Sequence, residues 1–212
     1  MKVTIIDYGL GNLLSIQRAF EYCGAEVNIT QNSCDILTAD RLVLPGVGAY
    51  QDGMIGLKQH NLIQAIQQFV STGKPFLGIC LGMQLMMDSS EEFGYCDGLG
   101  LIKGPVKAIP DTGVDGQPHK IPHIGWKALQ HAEKDQAWEN TILSGLRENE
   151  FVYFVHSYVS IPIRDENRLA DCFYNGQRLC AVIREGNAYG CQYHPEKSGP
   201  VGISILKNWL QI

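Results

Sequence analysis

The chain has 212 residues, 45% of them hydrophobic and 18% charged, and carries a net charge of −5. That is the composition of one globular domain, 1–212, with enough apolar residues to build a core unaided; it excludes disordered and collagen-like chains. No basic face stands out, which argues against nucleic acid as a partner, and no apolar stretch is long enough to span a membrane.

In chain order, KVTII (2–6) reads as a strand and NLLSIQRAFEYCG (12–24) as a helix stopped by glycine. AEVNIT (25–30) and RLVL (41–44) are strand-like. LIQAIQQFVSTGK (62–74) has helical spacing, and PFLGI (75–79) is the continuous apolar run of a buried strand. Strands alternating with helices predict an α/β fold: a mostly parallel central sheet flanked by helices. The second half adds strands in KIPHIGWKAL, EFVYFVHSYVSI, RLADCFY, RLCAVIREG and AYGCQYH, and DTGVDGQPHK (111–120) reads as a surface loop. The tail GPVGISILKNWLQI reads as an amphipathic helix.

Seven cysteines, an odd number without a CxxC pair, fit neither a disulfide framework nor a zinc site. With the N-terminus opening on a strand rather than a signal peptide, they predict a cytoplasmic protein. Six read as small buried hydrophobes. The seventh, Cys80, sits in Gly78-Ile79-Cys80-Leu81-Gly82, which matches G-x-nucleophile-x-G, the sharp strand-to-helix turn that presents a nucleophile. A helix starting there aims its amides and positive dipole end at the sulfur, and the Leu81 amide could bind an oxyanion. A buried cysteine at an ordinary strand end would fit the pentapeptide equally well.

The decisive companion lies 114 positions further on, where His194-Pro195-Glu196 follows another strand-like run. A thiol nucleophile needs an imidazole to move its proton, and the imidazole needs a carboxylate to fix its tautomer. Both groups stand at predicted strand C-terminal ends, where open α/β sheets build their sites. Two phosphate-loop readings fail: DYGLGN lacks a third glycine, and PGVGAY lacks Lys-Ser/Thr. No metal-ligand spacing occurs, so neither metal nor cofactor is expected.

GICLGMQ with a later HPE resembles the class I (triad) glutamine amidotransferases. IDYGLGN (6–12), LPGVGAY (44–50), PHIGW (122–126), YFVHSY (153–158) and YHPEKSG (193–199) are similar to one subgroup, the HisH glutaminase subunits of imidazole glycerol phosphate synthases. The resemblance covers nearly the whole chain. It implies that Cys80 attacks the side-chain amide of L-glutamine while His194 and Glu196 serve as base and orienting carboxylate. It further implies an oxyanion hole from the backbone amides of Val47, on the strand carrying PGVG, and Leu81. Gly46, Gln84, Ser157 and Tyr158 match positions that hold glutamine.

The same resemblance implies a heterodimer with a (β/α)8 cyclase, the HisF-type subunit, which receives ammonia through an internal channel. It then makes imidazole glycerol phosphate and AICAR in histidine biosynthesis. Asn12, Trp126, Tyr153 and Lys197 would lie at that interface, although a core position suits Trp126 as well. His123 and His156 read as satisfied core histidines, and Lys2, Glu91 and Glu92 as solvent-facing charge. Lys127 stands where the subgroup has Asn after PHxGW, and the 111–120 loop is long. Both keep open a HisH paralogue that feeds another synthase, for example one forming an amidine on a surface-polysaccharide sugar.

Overall fold

The computed structural model describes residues 1–133 and 137–212. The first half runs β1 (Lys2–Ile6), α1 (Leu13–Tyr22), β2 (Glu26–Thr30), α2 (Ser33–Thr38), β3 (Leu42–Leu44), α3 (Tyr50–Gln59), α4 (Ile63–Ser71), β4 (Phe76–Ile79) and α5 (Leu81–Leu85). There follow β5 (Met87–Ser90), β6 (Cys96–Asp97), β7 (Ile102–Ala108), β8 (His123–Ala128), β9 (Gln130–His131), β10 (Phe151–His156) and β11 (Tyr158–Ser160). The chain closes with β12 (Arg168–Tyr174), β13 (Gln177–Glu185), β14 (Ala188–Cys191), a 3-10 turn at Pro195–Lys197 and α6 (Gly199–Leu210).

The main sheet has eight strands in the order β2-β1-β3-β4-β14-β13-β12-β9. Pairing is parallel from β2 to β14 and antiparallel beyond it. The all-buried β3 and β4 occupy its middle, as their unbroken apolar runs require of strands covered on both faces. Of the strands expected in the second half, β12, β13 and β14 extend the main sheet, KIPHIGWKAL supplies β8, and EFVYFVHSYVSI supplies β10 and β11; β8 pairs with β10, and β11 joins a four-stranded sheet, β11-β7-β5-β6. In the core Phe20 of α1 meets Trp209 of α6, ring centroids 5.4 Å apart.

The sequence reading assigns no element to α2, β6, β7 or β9, and two further departures bear on the site. The helical pattern after Cys80 stops at Leu85, and Met87 already belongs to β5. The carbonyls that a longer helix would need are taken from outside: Leu101 and Ile102 amides donate to Met86 O, and the Gly100 amide to Met87 O. Helix α3 was not foreseen because Gly53 and Gly56, poor helix formers, interrupt its pattern. Gly53 faces the Leu85 and Leu81 side chains, and a Cβ on Gly56 would meet the Tyr8 backbone, so packing dictates both.

The β8–β10 hairpin buries two histidines in register, His123 opposite His156. Their Nδ1 and Nε2 atoms lie 2.9 Å apart, and His123 stacks between Phe154 and Tyr174. Tyr174 also meets His119 at a tilt, ring centroids 4.5 Å apart, holds the Lys127 ammonium 5.5 Å from its ring, and donates to Lys120 O. The 111–120 loop is therefore stitched to the β12–β13 turn, with Val114 N–H donating to Asn175 O.

Burial, and then the facing His156, lower the His123 pKa to about 3; burial also brings His156 to about 4, against a smaller upward pull from the Tyr158 carbonyl. Both imidazoles are thus neutral in the folded chain. As pH falls from about 6.5 towards 4 the unfolded chain takes up these protons and the folded chain does not, so stability drops in that window. His123→Phe, which keeps a ring in the stack, is expected to flatten the fall of the urea midpoint between pH 6.5 and 4.5. A slope identical to wild type would contradict the assignment.

Candidate active site

Cys80 joins β4 to α5 with φ 55° and ψ −109°, the strained geometry of a nucleophile elbow. Neighbouring backbone holds it there: its amide donates to Cys191 O at 2.7 Å, and its carbonyl accepts from Gln84 N at 3.2 Å. The flanking glycines are steric necessities. A Cβ on Gly82 would collide with the Leu44 carbonyl oxygen, and one on Gly78 would stand 2.7 Å from Gly82 O. The helix behind the elbow has only five residues, so the dipole anticipated from the sequence shrinks to the first amides.

Parallel pairing of β4 with β14 sets Ile79 against Cys191 and brings the following Gln192-Tyr193-His194 beside the elbow. His194 Nδ1 lies 2.7 Å from Glu196 Oε1, both side chains almost wholly buried. Its Nε2 has no hydrogen-bond partner and, with Cys80, lines a cavity of about 360 Å³. Burial opposes a charge on His194, but the adjoining Cys80 sulfur and Glu196 carboxylate outweigh it and push the pKa up to about 10. The arrangement can hold an imidazolium between a sulfur and a carboxylate.

The cavity also takes in Val47, Leu81, Gln84, Ser157 and Tyr158, so the structure gathers these sequence-predicted residues at one place. Gly46 and Val47 lie in the loop after β3 rather than on the strand. The expected pair of oxyanion donors is not assembled. Leu81 N–H instead donates to Gly46 O at 3.3 Å, and in the trans Gly46–Val47 peptide the Val47 N–H must point the opposite way. Tyr8, from the DYGLGN stretch, donates its hydroxyl to Pro45 O at 2.8 Å and so pins this loop.

Gln84 spends both amide hydrogens within the protein, on Tyr158 O and Gln192 Oε1, each at 3.0 Å, leaving its Oε1 to meet a ligand. Gln192 Nε2 stands 3.9 Å from Cys80 Sγ, and His156 Nδ1 donates to Tyr158 O at 2.8 Å. Reading the sequence did not single out Gln192, whose place two residues before His194 on β14's extension was the available signal. Glu92 corrects the expectation of a solvent-facing charge. Its Oε2 accepts from Tyr50 N at 2.7 Å, satisfying an amide at the start of α3, and it lines the cavity.

Trp126 is half exposed and edge-on to Tyr153, its partner across the β8–β10 pair, with centroids 5.9 Å apart. Lys197 is exposed on the turn after His194, and Asn12 is half-buried at the start of α1, which packs against that turn. Tyr153 clamps the turn through its backbone: its carbonyl accepts from His194 N at 3.0 Å and its amide donates to Ser198 Oγ at 3.0 Å. All seven cysteines are free. Among the described residues, no His/Cys/Asp/Glu cluster could hold a metal, and no helix is long and apolar enough to cross a membrane.

Comparison with known proteins gives a consistent answer. Residues 4–212 match the family model "Glutamine amidotransferase class-I". The chain is 56% identical over 211 residues to imidazole glycerol phosphate synthase subunit HisH 1 of Legionella pneumophila (strain Lens), covering 100% of this chain and 99% of that protein. It is 43% identical over 210 residues to subunit HisH of Geobacillus sp. (strain WCH70), covering 99% and 96%. Among solved structures, PurLQS from Thermotoga maritima superposes with a TM-score of 0.73 at 20% identity, covering 99% of this chain and 97% of that one, a likeness of fold alone. The chain belongs to the class-I glutamine amidotransferases, in the branch of the HisH subunits of imidazole glycerol phosphate synthase.

Proposed function

We propose that residues 1–212 act as one glutamine amidotransferase domain that hydrolyses L-glutamine through Cys80, His194 and Glu196 and passes ammonia to a (β/α)8 HisF-type cyclase. The product pathway is histidine biosynthesis, with imidazole glycerol phosphate and AICAR formed in the partner, and the compartment is the cytoplasm. The observation that carries the reading is the buried His194–Glu196 bond aimed at a strained cysteine across a single cavity. The names of the relatives support the histidine pathway over a surface-sugar synthase.

The chemistry follows from the geometry. The Cys80 thiolate attacks the side-chain amide carbon, forming the C–S bond and placing a negative charge on the amide oxygen. His194 donates its Nε2 proton to the amide nitrogen as the C–N bond breaks, releasing ammonia and leaving a glutamyl thioester. Water then attacks the thioester carbonyl, giving its proton to His194; the C–S bond breaks, and glutamate and the thiolate are regenerated. Glu196 holds the Nδ1 proton in place throughout, so Nε2 always faces the reaction. Gln84 Oε1, Ser157 and the Tyr158 backbone hold the substrate, and the Glu92 carboxylate supplies a counter-charge for its α-ammonium group.

The Gly46–Val47 peptide keeps this machine idle. With Gly46 O facing the Leu81 amide, the space for an oxyanion is occupied by a carbonyl. Rotation of that one peptide withdraws the oxygen and presents Val47 N–H beside Leu81 N–H. The absent donor alone accounts for roughly 10²–10³ in rate, about 3 kcal/mol. Asn12, Trp126, Tyr153 and Lys197 form the partner surface in this reading, and Tyr153 connects it to His194.

The direct test is glutamate release by the chain alone and with a histidine-pathway cyclase plus its ribonucleotide ligand. Stimulation of roughly 10²-fold or more is expected, and equal turnover by the isolated chain would overturn the idle oxyanion hole. Cys80→Ala should lower glutaminase activity by roughly 10⁶-fold while the complex still uses added ammonium. Glu196→Gln should cost roughly ten- to a hundredfold less than His194→Ala, because an orienting carboxylate is less essential than the base itself. Comparing kcat/KM of the two variants checks the order.

A further inference from the structure

A buried chain of hydrogen bonds ends on the Cys80 sulfur, and each donor in it is assigned by its neighbour. The Tyr158 carbonyl can only accept, so the His156 nitrogen 2.8 Å away, Nδ1, carries a proton. In the neutral ring His156 Nε2 is then an acceptor, for the His123 Nδ1–H at 2.9 Å. The same carbonyl accepts one hydrogen of Gln84 Nε2, whose second hydrogen goes to Gln192 Oε1. With its oxygen committed to Gln84, Gln192 has only its NH2 group to turn towards Cys80 Sγ, 3.9 Å away. Gln192 has no solvent exposure, so water cannot take over either end.

We propose that Gln192 is a further catalytic residue: its carboxamide, locked in one orientation by Gln84, donates to the Cys80 sulfur and stabilises the thiolate and the sulfur as leaving group. The proposal rests on Cys80 being the nucleophile. A neutral N–H···S contact at this distance is weak, but it strengthens when the sulfur carries charge, which is the state the reaction uses. Gln192 therefore acts on the opposite side of the sulfur's chemistry from His194. It moves no proton and favours the anion.

The other titratable groups around the sulfur are His194, with Glu196 behind it on the 195–197 turn, His156 on β10, Tyr158 on β11, Tyr8 after β1 and Glu92 after β5. All of them are unchanged in Gln192→Leu and Gln192→Glu. Gln192→Glu is nearly isosteric and keeps the acceptor for Gln84, so it tests the charge at the sulfur if the leucine variant fails to fold.

The experiment is the rate of Cys80 alkylation by iodoacetamide between pH 5 and 10, read by peptide mass mapping with exposed Cys34 as the internal reference. In Gln192→Leu the midpoint is expected to rise by about one pH unit, a roughly tenfold slower reaction below it, and in Gln192→Glu further still. Unchanged midpoints in both variants, with wild-type thermal melting, would reduce Gln192 to a packing residue and overturn the inference. A wild-type Cys80 that reacts no differently from Cys34 would overturn the nucleophile assignment itself, and the inference with it.

Discussion

Everything in this site hangs on the parallel pairing of β4 with β14. Four consecutive register pairs, from Ala188 opposite Phe76 to Cys191 opposite Ile79, bring two segments far apart in sequence to the same sheet edge. The ladder then continues one step past the strands, through the Cys80 amide to Cys191 O. That last bond fixes the strained elbow and the start of the Gln192–His194 segment together. A one-residue slip would send alternate side chains to the opposite face and separate the sulfur from the imidazole. The small residues in the register, Gly78 opposite Gly190, let α5 sit directly against both strands: a Cβ on Gly190 would stand 2.7 Å from Met83 Cγ.

This dependence explains what could be read from the sequence. Cys80 and His194 were legible because each lies in a local pattern with its own physical requirement: glycines around a strained turn, and a carboxylate two residues after an imidazole. The central strands were legible for the same reason, since a strand covered on both faces must be apolar throughout. Glu92, Tyr8 and Gln192 were not, because their partners are remote. Glu92 caps Tyr50, Tyr8 reaches Pro45, and Gln192 meets Gln84 across 108 positions. A polar residue whose only partner arrives through the fold leaves no local signature. Helix α3 was hidden by glycines that serve packing, and β5, Met-Asp-Ser-Ser, by a mostly polar sequence without an apolar strand pattern.

The β8–β10 hairpin carries an outer and an inner face of different character. Outward it shows Trp126 beside Tyr153; inward it hides His123 and His156, both neutral. The backbone joins the two faces, because Tyr153 holds His194 through its carbonyl and the Ser198 hydroxyl through its amide, while Ser198 Oγ donates to His194 O at 2.7 Å. In the proposed reading, a partner seated on the outer face at Tyr153 would reach the His194 turn through these two backbone hydrogen bonds. On the other face of the hairpin the Lys127 ammonium sits over the Tyr174 ring, whose hydroxyl donates to Lys120 O. The residue that departs from the subgroup's pattern therefore packs on Tyr174 and does not line the cavity that holds the sulfur.

The resting state balances two demands on the same few atoms. In the proposed mechanism, a nucleophile and base held ready would hydrolyse glutamine wastefully if the oxyanion hole were also complete. The fold avoids this by letting a carbonyl, Gly46 O, take the Leu81 amide. Tyr8 anchors the loop at Pro45, one residue before the peptide that must turn, so rotation can be confined to the Gly46–Val47 bond. In the same reading Gly48, with φ 101°, would absorb the compensating change on the far side. In that reading the sheet keeps Cys80 and His194 together, while the one element still to form is a single peptide bounded by glycines. In the proposed mechanism, control placed there costs little reorganisation and acts at the step where negative charge develops on the amide oxygen.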